Sequence, residues 1–596
     1  MSEKVNITIN GIPLRINENT TILEAAQKMN IKIPTLCFHK DLCVAGNCRV
    51  CVVEIAGDKR LVAACATPVS EGIEVLTNSL KVRNSRKHII ELLLSEHNAD
   101  CTKCYKNGNC ELQKLASEYK IINQDFINLA SLKKYKIDYY SPSIIKDDSR
   151  CIRCQRCVRT CTEIQGVSAL TVAYKGNNMK ITTFFDKPMN DVVCTNCGQC
   201  VNHCPTGALI EKNYIEEVWE AIGNPEKHVI VQTAPAVRIG LGEEFGFNPG
   251  ERVTGKMVAA LKRLGFDTVL DTDFTADLTI IEEGNELLQR LKKVFVDKDP
   301  NVKIPMVTSC SPGWIKYIEH MYPDFLGNLS SCKSPQQMFG ALAKTYFAQS
   351  RNIDPDKIVS VSIMPCTAKK FEASRPEMHD SGYRDIDYVL TTRELAIMIK
   401  QAGIEFNQLE DMEYDHLMGE SSGAGVIFGA TGGVMEAALR TAYEIITGRD
   451  VPFENLNITP VRGMESVKEA SIKLENVKPE WGFLEGIELK CAVAHGLINA
   501  HQVMETVKNG TAIYHFIEIM ACPGGCLGGG GQPIPTNPEI RKKRMEAIYA
   551  EDMGKPIRKS HLNPEIIQIY RDFLGEPLGE VSHHLLHTKY VPRERY

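Results

Sequence analysis

Two short stretches of the sequence carry the same cysteine spacing, and this repeat constrains the fold more than any other feature. Residues 151–161 read CIRCQRCVRTC and residues 194–205 read CTNCGQCVNHCP, so each contains C-x2-C-x2-C-x3-C. Thiols at this spacing hold cubane iron–sulfur clusters, and the fourth cysteine of one run ligates the cluster of the other run. The repeat therefore predicts two [4Fe–4S] clusters with crossed ligands. Zinc sites have no reason to repeat this spacing.

The crossing rule divides these eight thiols into two groups of four. The spacing resembles that of bacterial two-cluster ferredoxins, and the resemblance implies a ferredoxin-like domain over residues 140–212. The predicted ligands are Cys151, Cys154, Cys157 and Cys204 for one cluster, and Cys194, Cys197, Cys200 and Cys161 for the other.

Residues 1–78 have the pattern of a smaller redox domain. Residues 5–16 alternate polar and apolar around Asn10-Gly11, a pair that favours a type I′ hairpin turn, and a short helical pattern follows. The order of hairpin, helix and cysteine loop resembles plant-type ferredoxins, although their first interval between ligands is usually shorter. A zinc site is the alternative, and Cys43, inside the loop, is interpreted as a thiol that binds no metal. The predicted [2Fe–2S] ligands, spaced C-x10-C-x2-C-x13-C, are Cys37, Cys48, Cys51 and Cys65.

Residues 79–118 contain a third kind of ligand pattern. The stretch HNADCTKCYKNGNC has the spacing H-x3-C-x2-C-x5-C, with His97, Cys101, Cys104 and Cys110 as its metal-binding side chains. Alone, this pattern also suits a Cys3His zinc site. Because the neighbouring segments are redox modules, we interpret it as a [4Fe–4S] site ligated by one histidine and three cysteines.

The length and composition of the chain indicate a globular protein of several domains. A chain of 596 residues is too long for one domain, and its hydrophobic content of 43% is ordinary for a globular protein. The net charge of −5 and the absence of a basic stripe give no indication of nucleic-acid binding. The sequence shows neither a secretory signal nor an apolar run long enough to span a membrane, so a cytoplasmic location is predicted. Thiols stay reduced there, which favours metal ligands over disulfides for the 22 cysteines.

From about residue 226 the pattern changes to short buried strands between helical stretches. KHVIVQTAPAV, DTVLDTDF and KIVSVSIMPC read as strands, and GKMVAALKRLGF reads as a helix, which predicts an α/β domain over residues 226–530. Cys332 and Cys491 are interpreted as buried structural thiols. In EIMACPGGCLGGGGQP, four consecutive glycines follow a C-x3-C pair and allow backbone to approach a bulky cofactor. The candidate ligands of one further cluster are Cys310, Cys366, Cys522 and Cys526.

Three motifs in this region resemble those of [FeFe]-hydrogenases, and the resemblance extends over essentially the whole chain. They are TSCSPGW, MPCTAKKFE and EIMACPGGCLGGGGQP. The resemblance implies reversible conversion of H2 into two protons and two electrons at an H-cluster, a [4Fe–4S] cubane joined to a two-iron site with CO, cyanide and azadithiolate. It implies Cys366, Cys522 and Cys526 as cubane ligands, with Cys526 bridging to the two-iron site. It also places Lys369 and the Pro365 backbone at a cyanide, and Gln336 and Met520 along the pocket.

The stretch TSCSPGW departs from the family, which commonly has a cysteine doublet at this place. In this register Cys310 falls on the proton relay and Ser311 on the fourth cubane ligand. A neutral hydroxyl is a poor iron ligand compared with a thiolate. Three alternatives follow: Ser311 binds as an alkoxide, the cubane has another fourth ligand, or Cys310 ligates and the relay changes. We favour Cys310 as the relay.

Glu283, Glu286 and Arg290 are spaced three and four residues apart and share one helix face. Taken alone, such a stripe favours a solvated face with salt bridges. The family resemblance instead implies a proton route that runs from Arg290 through Glu286, Ser330 and Glu283 to Cys310.

Residues 531–596 resemble a segment that some relatives carry as a separate small subunit. LNPEIIQIYRDFLG predicts a helix with Asn563 as N-cap and Gly575 past its end. We expect His583, His584 and His587 to have packing or surface roles. The predicted apolar face of the helix comprises Ile566, Ile567, Tyr570, Phe573 and Leu574.

The glycine-rich stretch SSGAGVIFGATGGV lacks the third glycine of a dinucleotide fingerprint, so we expect no nucleotide site on this chain. The resemblance is to catalytic subunits of NAD(P)-linked hydrogenases. It implies partner subunits that bind NAD(P) and flavin, or a ferredoxin, together with maturation proteins. A hydrogen sensor with the same cofactor and a non-catalytic electron-transfer subunit are the alternative functions.

Overall fold

The computed structural model describes residues 3–122, 126, 129 and 135–595. The outermost residues of two predicted segments, Met1, Ser2 and Tyr596, therefore lie outside the described residues. No helix among the described residues is long and apolar enough to cross a lipid bilayer.

The N-terminal segment folds into a five-stranded sheet and one helix. Asn10 and Gly11 have φ values of 50° and 80°, so the predicted hairpin turn is confirmed. The strands lie in the order β2-β1-β5-β3-β4. The elements are β1 (Lys4–Ile9), β2 (Ile12–Asn17), α1 (Ile22–Lys28), β3 (Val52–Ile55), β4 (Leu61–Ala63) and β5 (Glu74–Leu76).

Apart from one helix of 16 residues, the middle segment has short elements, because much of its chain forms the loops that carry the thiols. Its elements are α2 (Leu80–Ser95), α3 (Glu111–Glu118), β6 (Ile137–Asp138), β7 (Ile144–Asp147), α4 (Arg156–Arg159), β8 (Thr171–Ala173), β9 (Lys180–Thr182), α5 (Gln199–His203) and β10 (Leu209–Glu211). Strands β10, β7 and β6 form a three-stranded sheet, and β8 pairs with β9.

The large segment is α/β, as the sequence predicts, and contains two four-stranded sheets. Its first half comprises α6 (Ile215–Ile222), β11 (His228–Thr233), α7 (Val237–Gly240), α8 (Thr254–Leu264), β12 (Thr268–Asp271), α9 (Thr272–Lys292), β13 (Met306–Val307), α10 (Pro312–Met321), α11 (Pro335–Leu342), α12 (Ala348–Arg351) and β14 (Ile358–Met364). Its second half comprises α13 (Ala368–Ala373), β15 (Tyr388–Thr391), α14 (Thr392–Gln401), α15 (Gly423–Ile427), α16 (Gly433–Thr447), β16 (Val467–Lys473), β17 (Glu488–His495), α17 (Leu497–Lys508) and β18 (Phe516–Met520).

Parallel pairing places the loops of this segment at shared edges. In the sheet β12-β11-β14-β15 all neighbouring strands are parallel. In the sheet β13-β18-β17-β16, strand β18 runs parallel to both neighbours, and only β16 is antiparallel. Ligands in open α/β sheets bind at the carboxyl ends of the strands. The segments that follow β13, β14 and β18 are the three motifs singled out in the sequence.

The C-terminal segment adds α18 (Pro538–Gly554), α19 (Pro564–Ile569) and α20 (Glu580–Leu586), which pack on the large segment. The Asn563 side chain accepts a hydrogen bond from the Glu565 N–H, which confirms the predicted N-cap. The predicted apolar face is wrong at one position. Ile567 is 55% exposed, and Ile569, which is fully buried, occupies the core instead.

Candidate active site

One cavity collects the thiols of the three motifs. Cys310, Cys366, Cys522 and Cys526 all line it, although they are far apart in the sequence. Cys366 lies two residues beyond β14, and Cys522 lies two residues beyond β18. The parallel sheets therefore bring these residues together at the carboxyl ends of their strands.

Burial and mutual proximity raise the pKa of these thiols. Burial, followed by the nearby Cys366 thiol, raises the pKa of Cys526 to about 12. The pKa of Cys522 rises well above 9.0 through burial, Cys366 and Cys197. Buried thiols this close to one another are stabilised as thiolates when they bind a soft metal.

The glycines around the cavity allow backbone segments to meet without side chains between them. Gly525 has a φ of +80°, and a Cβ at this residue would lie 2.8 Å from the Thr431 nitrogen. A Cβ at Gly529 would lie 2.0 Å from the Pro365 oxygen. Any larger residue at these positions would push the cysteine loops apart.

A charged group closes one side of the cavity. Lys369 Nζ donates to Glu372 Oε2 at 2.9 Å and to the Cys310 carbonyl oxygen at 3.2 Å. Gln336 Nε2 donates to the same carboxylate at 3.1 Å, whereas Gln336 Oε1 is buried without a partner. Met520 also lines the cavity. Glu372 was not among the predicted site residues, although it lies three residues after Lys369 within MPCTAKKFE.

Pro365 lines the cavity as well, and its position follows from backbone pairing. Its carbonyl oxygen accepts a hydrogen bond from the Gly531 N–H at 2.9 Å. This bond ties the end of β14 to the glycine run, so two of the three motifs are held together directly.

The predicted proton route lies on α9 and is buried. Glu283 is 2% exposed and Glu286 is 9% exposed, so the alternative of a solvated face is wrong. Arg290 Nη2 donates to Glu286 Oε1 at 2.6 Å, and Ser330 Oγ donates to Glu286 Oε2 at 3.0 Å. Burial, together with the charge of Glu286, raises the pKa of Glu283 to about 8, while a hydrogen bond with Ser330 opposes the shift.

Cys310 lies at the inner end of this route. Burial raises the pKa of its thiol well above 9.0, and the Glu283 carboxylate raises it further. The structure thus brings together the five residues of the predicted route, with a buried carboxyl beside the thiol.

Two further acidic groups, which were not among the predicted site residues, lie around the route. Glu518, fully buried, accepts hydrogen bonds from the Gly432 and Met435 N–H groups at 2.6 and 2.7 Å. Glu282 receives a hydrogen bond from His587 Nε2 at 3.0 Å. Glu518 opens the motif EIMACPGGC, but only the tertiary structure shows that it lies near Cys310 and Cys526.

The eight thiols of the repeated motif divide in space as the crossing rule predicts. Each set of four lines its own small cavity. The first cavity contains Cys151, Cys154, Cys157 and Cys204, and the second contains Cys161, Cys194, Cys197 and Cys200. In both sets the fourth thiol of one sequence run joins the other run.

The two N-terminal groups also converge. Cys51 Sγ lies 3.4 Å from Cys65 Sγ, and the Cys48 N–H donates to Cys37 Sγ at 3.4 Å. In contrast, Cys43 is exposed, and its thiol donates to Glu163 at 2.7 Å.

In the histidine-containing group, burial is the main cause that raises the pKa of Cys110. The nearby Cys104 and Cys101 thiols raise it further. His97 is 5% exposed, and burial lowers its pKa to about 4. Its Nδ1 has no hydrogen-bond partner. A neutral imidazole with a free, buried nitrogen fits a metal ligand.

The groups adjoin one another in an order that leads to the large cavity. A Cβ at Gly207, near Cys204, would lie 2.8 Å from Cys104 Sγ. Arg159, in the repeated motif, donates to the Cys37 carbonyl oxygen at 2.5 Å. Cys197, from the second set of four, lines the large cavity itself. Both N-terminal groups therefore border the repeated motif, which in turn borders the cavity.

Five segments of the chain match family models. Residues 227–530 match the model described as iron only hydrogenase large subunit, C-terminal domain, and residues 538–593 match the iron hydrogenase small subunit. Residues 2–79 match a 2Fe-2S iron-sulfur cluster binding domain. Residues 86–125 match the NADH-ubiquinone oxidoreductase-G iron-sulfur binding region, and residues 141–210 match the ferredoxin-like domain of NADH-quinone oxidoreductase subunit 3.

Whole-chain relatives give the same result. The chain is 51% identical to NADP-reducing hydrogenase subunit HndD of Solidesulfovibrio fructosivorans, over 99% of both chains. It is 42% identical to iron hydrogenase 1 of Clostridium pasteurianum, over 98% of this chain and 99% of that one. Among solved structures, an apo form of [FeFe]-hydrogenase HydA1 from Chlamydomonas reinhardtii is 44% identical, with a TM-score of 0.57, over 64% of this chain and 99% of that one.

Proposed function

The chain belongs to the iron-only hydrogenases, and from this premise we propose that it is the catalytic subunit of an NADP-linked complex. It interconverts H2 with two protons and two electrons. The N-terminal iron–sulfur domains exchange the electrons with a partner subunit that binds the nucleotide. The printed name of the relative HndD, an NADP-reducing hydrogenase subunit, supports this acceptor.

One observation carries the catalytic proposal. The cavity that collects Cys310, Cys366, Cys522 and Cys526 lies where a buried carboxyl route and a set of ferredoxin-type thiols meet. Reversible H2 chemistry needs a proton path and an electron path at one centre, and both reach this cavity.

The donor set of the cavity fits an H-cluster. Cys366, Cys522 and Cys526 would hold its cubane, because these soft sulfur donors from separate loops converge on one cavity. When bound, the group supplies the chemistry of the H–H bond, and the protein supplies ligation, orientation and proton transfer. Lys369 offers a charged N–H donor at the cavity wall, and Gln336 lines the same wall with its Oε1 free of a partner.

We assign proton movement to residues of this chain. Protons would enter beside Arg290, whose guanidinium stays charged and donates a hydrogen bond to Glu286. Ser330 connects Glu286 with Glu283 by hydrogen bonds. Glu283, with a pKa of about 8, can hold or release a proton near neutral pH, which suits a relay. Cys310, which lines the cavity, would hold the proton at the end of this route.

The N-terminal thiols would hold four further clusters, in domains over residues 1–78, 79–118 and 140–212. One [2Fe–2S] is ligated by the group around Cys37 and three [4Fe–4S] by the other groups, one of them through His97. Convergence of each predicted ligand set and the free Nδ1 of His97 support this count. The catalytic domain and the C-terminal segment occupy residues 226–530 and 531–596.

The order of the groups resembles a fork. The [2Fe–2S] group and the histidine-containing group both adjoin the repeated motif through Arg159 and Gly207. We propose that one arm exchanges electrons with the NADP-linked partner and that the other serves a second carrier such as a ferredoxin. Maturation proteins would deliver the two-iron site.

Two alternative functions have less support. A non-catalytic electron-transfer subunit does not need the four thiols of the cavity or the buried route to Cys310. For a hydrogen sensor, the family models that match this chain include no signalling domain, and the two relatives that match it over almost its whole length are named as hydrogenases.

An assay of H2 evolution with reduced viologen tests the proposal. Protein matured and purified without oxygen should show high turnover, together with infrared bands of CO and cyanide. A protein with the iron of the N-terminal domains but neither bands nor turnover would contradict it. The Glu216→Gln variant, at an exposed position of α6, should match the unmodified protein in both measurements.

A further inference from the structure

The three proposed cubane ligands leave one corner of a [4Fe–4S] cluster without a protein donor. Such clusters are held by four protein ligands. We propose that the Ser311 side-chain oxygen, ionised to an alkoxide, is the fourth ligand. This inference rests on the proposed function, because it needs a cubane held by Cys366, Cys522 and Cys526.

The first observation concerns a serine that does not cap its helix. Ser311 is the N-cap of α10, a position at which a serine hydroxyl normally accepts a hydrogen bond from the second or third helical N–H. Here the side chain forms no such bond, and only the Ser311 carbonyl oxygen starts the helix by accepting from the Ile315 N–H at 3.0 Å. The hydroxyl is therefore used elsewhere.

The second observation is where this hydroxyl lies. Ser311 lines the same cavity as the three thiols, and its Oγ accepts a hydrogen bond from the Ala521 N–H at 3.2 Å. Ala521 directly precedes Cys522, so the oxygen lies beside a proposed cubane ligand. An N–H donor aimed at the oxygen stabilises an alkoxide more than a neutral hydroxyl.

Cys310 cannot be the fourth cubane ligand and also serve as the proton relay. Ser311 has extended backbone, with φ −101° and ψ 101°, and successive side chains in extended backbone point to opposite sides. The charged groups that act on Cys310 are Glu283, Lys369, Glu518 and Cys526. Glu283, the inner carboxyl of the proposed proton route, acts most strongly among them, so the thiol lies near that route.

Other side chains of the cavity with oxygen, nitrogen or sulfur atoms are less suited than Ser311 to ligate the cubane. Thr272 Oγ1 donates to Gln232 Oε1 at 2.8 Å, which fixes its hydroxyl away from the thiols. The Gln336 amide and the Met520 thioether are neutral and cannot ionise. Among the described residues of the cavity wall, Ser311 is the hydroxyl whose oxygen accepts a hydrogen bond from the N–H of the residue before Cys522.

The ligation step balances without a redox reaction. The Ser311 O–H bond breaks, an oxygen–iron bond forms, and the proton leaves to solvent. An alkoxide is a harder donor than a thiolate and favours the oxidised cluster. The reduction potential of this cubane should therefore be more negative than with four thiolates.

The test compares the full-length Ser311→Cys, Ser311→Ala and Cys310→Ala proteins by iron content, sulfide content and redox titration followed by electron paramagnetic resonance. We expect Ser311→Cys to raise the potential of one [4Fe–4S] signal and leave the others unchanged. Ser311→Ala should lose that signal and up to about four iron atoms per chain. Cys310→Ala should keep the iron and the potential but lose turnover.

A matched control is Ser309→Ala, which removes a buried hydroxyl bonded to the Cys332 carbonyl oxygen at 2.6 Å. It should keep every signal, which separates ligand loss from a general packing defect. An unchanged cubane signal in Ser311→Ala, or loss of the cubane in Cys310→Ala, would overturn the assignment. Failure of the proposed function would instead appear as absent CO and cyanide bands in the unmodified protein.

Discussion

The N-terminal thiols and the cavity thiols are specified in different ways. Before residue 205, each ligand set comes from one or two short loops, and its spacing alone predicts which thiols meet. In the cavity, Cys366, Cys522 and Cys526 meet only because two parallel sheets place the ends of β14 and β18 together. The first kind of site depends on local chain geometry, and the second depends on the whole catalytic domain.

This comparison predicts unequal consequences when one ligand is removed, and these are the largest effects expected. Cys522→Ala should reduce H2 evolution to the background of the assay, because the cavity has a single ligand set. Cys104→Ala should lower viologen-driven turnover by no more than about tenfold, which is about 1.4 kcal/mol in the barrier, because the other arm of the fork still reaches the cavity. The measurement is H2 evolved per unit of protein.

A suitable control for this pair is Cys491→Ala, which removes another buried thiol of the catalytic domain that lies outside the cavity. It should retain its turnover. Equal loss of activity in the Cys104 and Cys522 variants would mean that the arms of the fork do not work in parallel.

The two regions also differ in how much the sequence could predict. The crossing of Cys161 and Cys204 follows from the cysteine spacing, because a run of eleven residues largely fixes where its own thiols lie. In α19 the sequence could have indicated Ile569 in place of Ile567, because Ile569 follows Ile566 by three residues and shares its helix face. Glu518 could not be predicted, since its sequence neighbours do not show that β18 turns it toward α16 and Cys310.

The burial of α9 is the clearest limit of sequence reasoning. The spacing of Glu283, Glu286 and Arg290 shows that they share a face, and the structure confirms it. Spacing alone favours a solvated face, because charged stripes are usually exposed. Packing of α11, α15 and α16 against α9, together with the loop at Ser330, turns this stripe into a buried route.

The second prediction concerns that route, which the N-terminal thiols do not need. Glu283→Gln should lower H2 evolution by about 100- to 1000-fold, because general acid–base groups contribute factors of this size. The infrared bands and the iron content should stay unchanged. Full turnover in this variant would remove Glu283 from the proton route.

The pH dependence gives a separate check on Glu283. Its pKa is raised from 4.5 to about 8, so the folded protein keeps a proton there that the unfolded chain releases. H2 evolution should fall as the pH rises through about 8, because the group then no longer donates a proton. Folding stability should also decrease as the pH rises between these two values, and Glu283→Gln should reduce that decrease.

The third prediction addresses the junction of the two regions. A Cβ at Gly530 would lie 2.3 Å from the Cys197 carbonyl oxygen. Gly530→Ala should push the glycine run away from the repeated motif, lower turnover by about tenfold and cost about 1–3 kcal/mol of unfolding free energy. Gly554→Ala is the matched control, because a Cβ there meets nothing within 4 Å. A Gly530 variant as active and stable as this control would mean that the close approach is not needed.

The smallest effect is expected for Cys43, the thiol that spacing leaves over in the N-terminal region. The Glu163 carboxylate accepts its hydrogen bond, and this contact, with burial a lesser cause, raises the pKa of the thiol above 9.0. A protonated, exposed thiol does not ligate iron, so Cys43→Ser should keep the [2Fe–2S] spectrum and change the unfolding free energy by less than about 0.5 kcal/mol. The same substitution at Cys48 should abolish or shift that spectrum. Loss of the spectrum in the Cys43 variant would show that local spacing does not specify even the N-terminal ligands, and the contrast between the two regions would then fail.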